Sequence, residues 1–285
     1  MGPFLSGGNT YFNKTLRSRY ELLRYHELLE AFSEDNIMKW NTGIRTTTAK
    51  TMKHLLIDEF QDISPELVKW IKGVTKYLNS IGEECSLMCV GDDWQSIYGW
   101  RGSSPYYIVK YRTEFKTDPV GRIIELVENR RCYQDLLDKA TIILEKVAPD
   151  QRTPKRVTCI KGINPMEEKT LETIFGESDE DILPTIKEIL QKVRKGEKIY
   201  VLCRNNIKRM HFANLLKSLP VKVLTYHGSK GLEGHYCVLI GDCAYITSSP
   251  FKNMIYNENG NTAKYNQTYD ETQKDEARRL VWAAE

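Results

Sequence analysis

Short apolar runs alternate with longer segments of mixed polarity along most of the chain. Apolar runs of strand length occupy 54–58, 86–90, 122–127, 198–203, 221–225 and 236–241. Apolar residues recur at helical spacing in 19–32, 132–147, 181–195 and 206–218. Continuous apolar strands that alternate with helices are typical of parallel sheets covered by helices on both faces. The pattern therefore predicts an α/β protein with two domains that meet near residue 120.

Two further segments have a distinct character. Ser64 followed by Pro65 is a helix-start signal, because serine can cap a first turn and proline suits its first position. We expect a helix there that turns Leu67, Trp70 and Ile71 inward. The segment 248–273 is polar and has no clear period, so a long loop is predicted.

The composition is that of a soluble globular protein in a reducing compartment. The 285 residues are 41% hydrophobic and 28% charged, and no apolar run approaches the ~20 residues that span a bilayer. Seven cysteines without a C-x-x-C pair favour free thiols in the cytoplasm over disulfides or a zinc site. A net charge of +3 is too small to indicate nucleic-acid binding by itself. We expect a cytoplasmic protein with no membrane segment.

Carboxylates follow directly on two of the predicted strands, in HLLIDEFQD (54–62) and SLMCVGDDWQ (86–95). Ligands of α/β sheets bind at the carboxyl ends of strands. A Mg²⁺ ion on Asp58 and an attacking water activated by Glu59 would suit this position. Adjacent acids at a strand end can also form a solvated turn. Two such ends in one chain favour the metal and phosphate site.

The same segments resemble the motifs of a known enzyme family. DEFQD and GDDWQSIYGWRGS are similar to motifs II and III of superfamily 1 DNA helicases of the UvrD/Rep/PcrA kind. Later segments resemble further motifs in the family's order, namely ELVENRRC (motif IV), KIYVLCRNN (motif IVa), LTYHGSKGLEGHYCVLIG (motif V) and DEARRLVWAAE (the start of motif VI). The resemblance covers 55–285, whereas 1–50 carry no recognised signature.

The resemblance implies an α/β fold of two RecA-like parallel-sheet domains with helices on both faces. Residues 1–120 would form a partial, incomplete first domain with motifs II and III. Residues 121–285 would form the second domain with motifs IV and V and the start of motif VI. ATP would bind between the two domains, and its hydrolysis would open and close the cleft.

The resemblance also implies roles for residues around ATP and Mg²⁺. Asp58 would bind the metal, and Glu59 would orient the hydrolytic water. Gln95 would sense the γ-phosphate and link the ATP site to the DNA groove. Arg131 would reach the γ-phosphate from the second domain, where a rigid fork of N–H donors suits phosphoryl oxygens. The further residues expected to contact the nucleotide are Asp62, Asp92 and Glu233, the last at the ribose.

A second set of residues would contact nucleic acid. Trp100 would stack on a base of single-stranded DNA, with Tyr98 and Arg101 close by. Such stacking tolerates any sequence and is worth ~1–3 kcal/mol per base. The residues of motif V expected to face nucleic acid or the domain cleft are Thr225, His227 and Lys230. The implied partner is single-stranded DNA or a junction of single- and double-stranded DNA.

A helicase motor also needs a phosphate loop, GxxxxGK[ST], and the 285 residues contain none. The segment that resembles motif VI stops before the Thr-Arg of the family. We therefore expect a helicase fragment that hydrolyses ATP poorly or not at all alone, or one completed by a polypeptide that supplies the missing half.

The sequence thus predicts the family function of an ATP-dependent DNA helicase or translocase, moving 3′ to 5′ by resemblance, in DNA repair or replication. In a bacterium it would be associated with the nucleoid. The alternative is a non-catalytic helicase-like module that binds DNA or a protein. Retention of Asp58, Glu59, Gln95 and Arg131 favours a motor, and the missing phosphate loop favours the module.

Overall fold

The computed structural model describes residues 53–115, 121–162, 171–176, 178–241, 248–259 and 268–284. The helix predicted at 19–32 lies outside the described residues. The described residues belong to two compact units. The first unit contains 53–58 and 63–90, and the second contains 59–62 and the described residues from 91 onward.

The strands are short, and every strand pairing is parallel. They are β1 (His54–Ile57), β2 (Ser86–Cys89), β3 (Glu128–Asn129), β4 (Thr158–Cys159), β5 (Ile199–Cys203), β6 (Lys222–Thr225) and β7 (Tyr236–Ile240). The helices are α1 (Pro65–Ser80), α2 (Tyr106–Val109), α3 (Tyr111–Glu114), α4 (Gln134–Leu144), α5 (Ile182–Lys192), α6 (Asn206–Leu215), α7 (Tyr226–Ser229), α8 (Pro250–Asn259) and α9 (Tyr269–Ala284). Short 3₁₀ turns occupy Phe60–Asp62, Asp93–Gln95, Gly99–Arg101, Pro149–Gln151 and Asp179–Asp181.

The first unit pairs β1 with β2, and α1 connects the two strands. The helix begins where the sequence predicted, because the Ser64 hydroxyl accepts a hydrogen bond from the Leu67 N–H at 3.4 Å. Its buried apolar side includes Val68, Ile71 and Leu78. The predicted cap and the inward position of Ile71 are therefore confirmed.

The second unit contains the three-stranded sheet β6-β5-β7, and its central strand β5 is buried throughout. Side chains of β5 alternate between two apolar clusters, as the pleat of a strand requires. Val201 packs with Ile186 of α5 on one side. Tyr200 and Leu202 pack on the other side with a cluster that includes Leu280 of α9. The predicted continuous apolar strand, covered on both faces, is confirmed here.

The strand predicted at 122–127 is wrong in its position. The structure has no strand in 121–127. β3 begins at Glu128, directly after this run, and Asn129 of β3 lies opposite Cys159 of β4. Ile124 and Leu126 of the predicted strand are 79% and 86% exposed. An apolar run predicts a buried strand only where other elements cover it, and among the described residues this run is not covered.

The long loop predicted at 248–273 is also wrong, because α8 and the start of α9 lie within it. Asp270 connects the two helices by accepting hydrogen bonds from the Ser249 N–H at 3.0 Å and from Asn253 Nδ2 at 2.9 Å. The Asn253 Oδ1 accepts in return from the Asp270 N–H at 2.9 Å. These polar contacts stabilise the helices without an apolar period, so the hydrophobic pattern could not reveal them.

Mixed helices and small parallel sheets confirm the α/β class. Two RecA-like domains with a boundary at residue 120 stay a prediction. Within the described part of the chain, every helix is too short or too polar to cross a membrane.

Candidate functional site

The segment after β1 contains a strained turn. Glu59 adopts a positive φ of 52°, which residues other than glycine seldom adopt. Its carbonyl accepts a hydrogen bond from the Asp62 N–H at 2.9 Å, which closes the 3₁₀ turn. Strained backbone of this kind is concentrated at functional sites. Glu59 is also the residue that the sequence analysis assigns to the attacking water.

Gln61 holds this turn in place, and the sequence analysis did not identify it. Its side chain is buried, donates from Nε2 to Glu59 Oε2 at 2.5 Å and accepts from the Asp92 N–H at 2.9 Å. Gly91 makes this approach possible, because a Cβ at that position would lie 2.4 Å from Gln61 Oε1 and 2.9 Å from the Phe60 nitrogen. The sequence offered one signal, the glycine directly after β2.

Lys230 lies at the centre of the site. Its side chain is 9% exposed, and Nζ lies 2.5 Å from Asp62 Oδ2 and 3.2 Å from Glu59 Oε2. Nζ also donates to the Gln95 carbonyl at 3.2 Å and lies 5.2 Å from the centre of the Tyr98 ring. A buried ammonium requires such partners. The structure thus places Lys230 among carboxylates, and its expected contact with nucleic acid stays a prediction.

Asp62 is the more buried of the two carboxylates, with 18% of its side chain exposed. Burial raises its pKa above the ordinary value, and the hydrogen bond and charge of Lys230 oppose that rise. Its second oxygen, Oδ1, is buried and accepts no hydrogen bond from the described residues. One oxygen of Asp62 is therefore paired, and the other is available to a donor that enters the site.

Aromatic rings lie on the other side of Lys230. The Tyr98 hydroxyl donates to the His227 carbonyl at 3.4 Å, and the His227 Nε2 lies 3.1 Å from the Ile97 carbonyl. The indole of Trp100 meets the His227 ring edge to face at 6.4 Å and is 56% exposed. Trp100 is therefore held at the surface with its ring accessible.

Trp94 differs from Trp100, although both lie in the segment that resembles motif III. Trp94 is 3% exposed and packs against Trp282 with the ring centres 4.9 Å apart. Trp94 is therefore a core residue, whereas Trp100 lies at the surface. Its indole Nε1 donates to the Thr153 carbonyl at 3.1 Å, as expected of a buried tryptophan.

Glu276 of α9 is a second buried residue that the sequence analysis missed. It is 8% exposed, and its Oε1 lies 3.9 Å from His227 Nε2. A Cβ on Gly99 would lie 2.4 Å from Glu276 Oε2, so this carboxylate packs directly against the turn that carries Trp100. The glycine before Trp100 is the only sequence signal for that contact.

The acidic segment after β2 has its own lysine. Lys155 Nζ lies 2.5 Å from both Asp92 Oδ1 and Asp93 Oδ1 and 5.1 Å from the centre of the Trp94 ring. Asp92 also accepts from the Trp94 N–H at 3.0 Å and from Gln95 Nε2 at 3.0 Å. Both oxygens of Asp92 are therefore engaged by protein groups.

The other expected site residues lie at separate positions. Arg131 Nε forms an exposed ion pair with Glu233 Oε1 at 2.7 Å. Thr225 caps α7 by accepting from the Gly228 N–H at 3.1 Å. Arg101 ends the Gly99–Arg101 turn, and Asp58 is an exposed residue of the first unit. The structure thus brings together Glu59, Asp62, the Gln95 carbonyl, Tyr98, His227 and Lys230.

The donor set does not suit a metal ion held by protein side chains alone. Within the described ranges, no group of three or more His, Cys, Asp or Glu side chains could hold a metal. Mg²⁺ usually takes one or two carboxylates and completes its shell with phosphate and water. The carboxylates present fit a Mg²⁺ that arrives with phosphates.

Comparison with known proteins identifies a helicase family. Residues 11–116 match the family model of the UvrD/REP helicase N-terminal domain. The predicted resemblance to UvrD/Rep helicases is confirmed. That match includes the turn at Glu59, Trp100 and the acidic segment after β2. It also covers 11–50, so the interpretation that 1–50 carry no signature of the family is wrong.

Individual helicases align with parts of the chain that range from 92 to 199 residues. DNA helicase IV of Escherichia coli (strain K12) is 28% identical over 199 residues, which are 66% of this chain and 26% of that helicase. DNA helicase II of Haemophilus influenzae is 38% identical over 92 residues, 32% of this chain and 11% of that protein. The ATP-dependent DNA helicase Rep of Buchnera aphidicola is 29% identical over 158 residues, 52% of this chain and 23% of that protein. The chain therefore spans about a quarter or less of the length of these UvrD/Rep relatives.

Proposed function

We propose that this chain couples ATP hydrolysis to movement along single-stranded DNA, as part of a helicase or translocase that travels 3′ to 5′. The observation that carries the proposal is the position of Lys230. Its ammonium contacts Glu59 and Asp62 on one side and the Gln95 carbonyl and Tyr98 ring on the other. One cation thus joins the strained turn to the segment that leads to Trp100.

The proposed chemistry begins at Glu59. Its side chain is 59% exposed, so its carboxylate is open to an attacking water, and the Gln61 amide fixes its orientation. Asp58 would hold Mg²⁺, which supplies charge neutralisation to the phosphates when bound. Arg131 is exposed and can offer its guanidinium to a γ-phosphate, with Glu233 and Asp62 as further contacts of the nucleotide.

Lys230 would then transmit the state of the nucleotide. Phosphate oxygens of a bound nucleotide would compete with Asp62 and Glu59 for its ammonium, because all of them are anionic acceptors. A shift of the ammonium toward phosphate would lengthen its contact with the Gln95 carbonyl. Gln95 lies five residues before Trp100 in the same segment. The aromatic surface would move as nucleotide binds and leaves.

The proposed contact with DNA is the Trp100 surface. An exposed indole held on edge by His227 presents a face on which any base can stack. This base would be flanked by Tyr98, Arg101 and Thr225. The rest of the single strand, or its junction with double-stranded DNA, would extend from this base. Stacking without hydrogen bonds to base edges implies binding without sequence preference.

A second candidate is a helicase-like module that binds DNA without hydrolysing ATP. One observation favours it. The carboxylates of Glu59 and Asp62 are already paired with Lys230. In this case another polypeptide would supply the phosphate loop to form a working motor.

Hydrolysis of ATP by the purified chain, with and without single-stranded DNA, tests the proposal. A motor shows DNA-stimulated hydrolysis that Glu59→Gln removes while DNA binding persists.

Fluorescence anisotropy of a labelled oligonucleotide measures binding by Trp100→Ala, with Phe175→Ala as control because Phe175 is 93% exposed. We expect Trp100→Ala to weaken binding by ~1–3 kcal/mol, roughly 5- to 150-fold in Kd, and Phe175→Ala to leave it unchanged.

The outcomes separate the two candidates. DNA binding that depends on Trp100 without hydrolysis would favour the module. Hydrolysis that survives Glu59→Gln would contradict the role of this glutamate. Oligonucleotide binding that is equal in the wild type and Trp100→Ala, without hydrolysis, would overturn both proposals.

A further inference from the structure

Two cysteines of the second unit lie side by side, outside the network around Lys230. Cys132 Sγ and Cys159 Sγ are 3.8 Å apart, although 27 residues separate them in sequence. Cys159 is 4% exposed, and Cys132 is partly exposed. The two thiols are thus in direct contact, and one of them can be reached from solvent.

Local structure fixes both sulfur atoms. Asn129 lies opposite Cys159 in the β3–β4 ladder, and its Oδ1 accepts from the Cys132 N–H at 3.1 Å. The Cys159 N–H donates to Gln134 Oε1 at 2.7 Å. Both main chains are therefore anchored to the same short ladder, which holds the thiols together.

We propose that Cys132 and Cys159 form a dithiol site that a low-molecular-weight disulfide, such as oxidised glutathione, converts reversibly into an intramolecular disulfide. A disulfide requires about 2.0 Å between the sulfur atoms, so the separation of 3.8 Å must shorten by a small side-chain rotation or a shift of the turn at Cys132. Cys132 can make that adjustment because it is partly exposed.

The reaction proceeds by two exchanges. The Cys132 thiolate attacks one sulfur of the external disulfide, forms a mixed disulfide and releases one thiolate. The Cys159 sulfur then attacks Cys132 Sγ, forms the protein disulfide and releases the second thiolate. The two released thiolates take up the two protons of the cysteines. The protein loses two electrons, and the external disulfide gains them.

The environment of Cys159 decides the order of these steps. Burial, and after it the neighbouring Cys132, raises the pKa of the Cys159 thiol to about 12. At neutral pH almost none of it is thiolate, which is the reactive form. Cys132 therefore reacts first, and the second exchange becomes faster as pH rises.

Oxidation would also act on Arg131, the neighbour of Cys132. The Arg131 N–H donates to the same Asn129 Oδ1 at 2.8 Å, and its carbonyl accepts from Lys161 Nζ at 2.6 Å. A bond from Cys132 to β4 would restrain the turn that carries Arg131. Disulfides in a reducing cytoplasm are usually transient or redox-sensing, which fits a reversible change at a surface turn.

The test is incubation of the full chain, at low protein concentration, with oxidised glutathione at several pH values. Remaining thiols are then blocked, and intact mass and peptide mapping identify the products. We expect a transient gain of one glutathionyl group on Cys132, followed by its loss and by a Cys132–Cys159 linked peptide. Dithiothreitol should reverse the link, and hydrogen exchange at 129–133 should slow in the oxidised protein.

Two variants sharpen the result. Cys132→Ser should abolish the link, whereas Cys237→Ser, which removes another exposed thiol, should leave it unchanged. A stable mixed disulfide on Cys132 that never resolves, at any pH, would overturn the proposal. So would a link from either cysteine to a different cysteine in the wild-type chain.

Discussion

Two acidic segments follow the paired strands β1 and β2, and a distant lysine meets each of them. Lys230 Nζ contacts Asp62 at 2.5 Å and Glu59 at 3.2 Å, after β1. Lys155 Nζ contacts Asp92 and Asp93, each at 2.5 Å, after β2. The sequence patterns look alike, but the surroundings of the two groups differ.

The difference lies in exposure and in the backbone. Glu59 has a side chain that is 59% exposed and a positive φ of 52°. The Asp93 side chain is 2% exposed. Asp92 has an extended backbone with φ −132° and caps the Asp93–Gln95 turn through the Trp94 N–H. The first segment is strained and open, and the second is relaxed and closed.

This contrast separates an accessible carboxylate from carboxylates that the fold encloses. An exposed carboxylate on strained backbone can reach water and ligands, whereas a buried carboxylate with engaged oxygens stabilises its own fold. We therefore expect the segment after β2 to act mainly as a scaffold. A nucleotide contact by Asp92 stays a prediction, and it would require Asp92 to release Lys155 or Gln95.

The largest loss of stability is expected from a substitution in the buried acidic segment after β2. Asp93→Asn removes one anion from Lys155 and leaves the Thr153 N–H, which donates to Asp93 Oδ2 at 2.7 Å, with a weaker acceptor. Because Lys155 keeps Asp92 as a partner, we expect a loss of about 2–3 kcal/mol, below the full cost of breaking a buried ion pair. Urea unfolding followed by tryptophan fluorescence should show that loss in the free energy of unfolding.

An exposed ion pair provides the control. Glu128 and Arg130 pair at 3.0 Å with side chains 60% and 76% exposed, so Glu128→Gln should cost less than about 1 kcal/mol. Similar losses for Asp93→Asn and Glu128→Gln would show that the segment after β2 is not a buried scaffold, and the comparison would fail.

The next largest loss of stability is expected at Gly91, the glycine that allows the two acidic segments to approach each other. In Gly91→Ala the added Cβ would lie 2.9 Å from the Phe60 nitrogen and 3.1 Å from the Gln61 nitrogen, and main-chain atoms cannot move cheaply. Overpacking of this kind costs about 1–3 kcal/mol. Urea unfolding of Gly91→Ala measures this loss directly.

Gly99→Ala is the matched variant, since its Cβ would come too close to the tip of the Glu276 side chain, at 2.4 Å, and to no main-chain atom. A side chain can rotate away, so we expect a smaller loss of stability than for Gly91→Ala. If Gly99→Ala is the more damaging of the two, then the contact with Glu276 and not the approach to Gln61 holds these turns.

The sequence predicted the features that depend on local chemistry. The apolar runs at β1, β2, β5, β6 and β7 and the cap at Ser64 follow from periodicity and from the preference of serine for helix starts. The motif order identified the segment that carries Glu59 and Trp100. Each of these signals lies within a few residues of the feature that it predicts.

The remaining residues of the site could not be predicted in this way. Lys155 meets Asp92 across 63 positions, and Lys230 meets Asp62 across 168. Gln61 and Glu276 are polar residues whose burial depends on elements distant in sequence. No local pattern distinguishes such a side chain from a solvated one, so the partners became visible only when the chain was folded.

The smallest expected change in stability concerns the charge of Asp62, and it is the most sensitive test of the comparison between the two acidic segments. Burial raises its pKa, so between the ordinary value of 3.8 and the raised value the folded protein binds more protons than the unfolded chain. The free energy of unfolding must then fall as pH rises through that window. The amide side chain of the Asp62→Asn variant does not titrate, so the free energy of unfolding of that variant lacks this dependence on pH. Urea unfolding at several pH values measures the free energy of unfolding of the wild type and of Asp62→Asn. We expect the difference, wild type minus Asp62→Asn, to decrease from acidic to neutral pH.

The opposite slope would have a definite meaning. If the wild type gains stability relative to Asp62→Asn as pH rises, the attraction of Lys230 outweighs the cost of burying the carboxylate. Asp62 would then resemble Asp93, as a closed partner of a structural lysine, and Glu59 alone would carry the open character of the segment after β1. Phosphate would compete less easily for Lys230, and the proposed transmission from nucleotide to Trp100 would lose its physical basis.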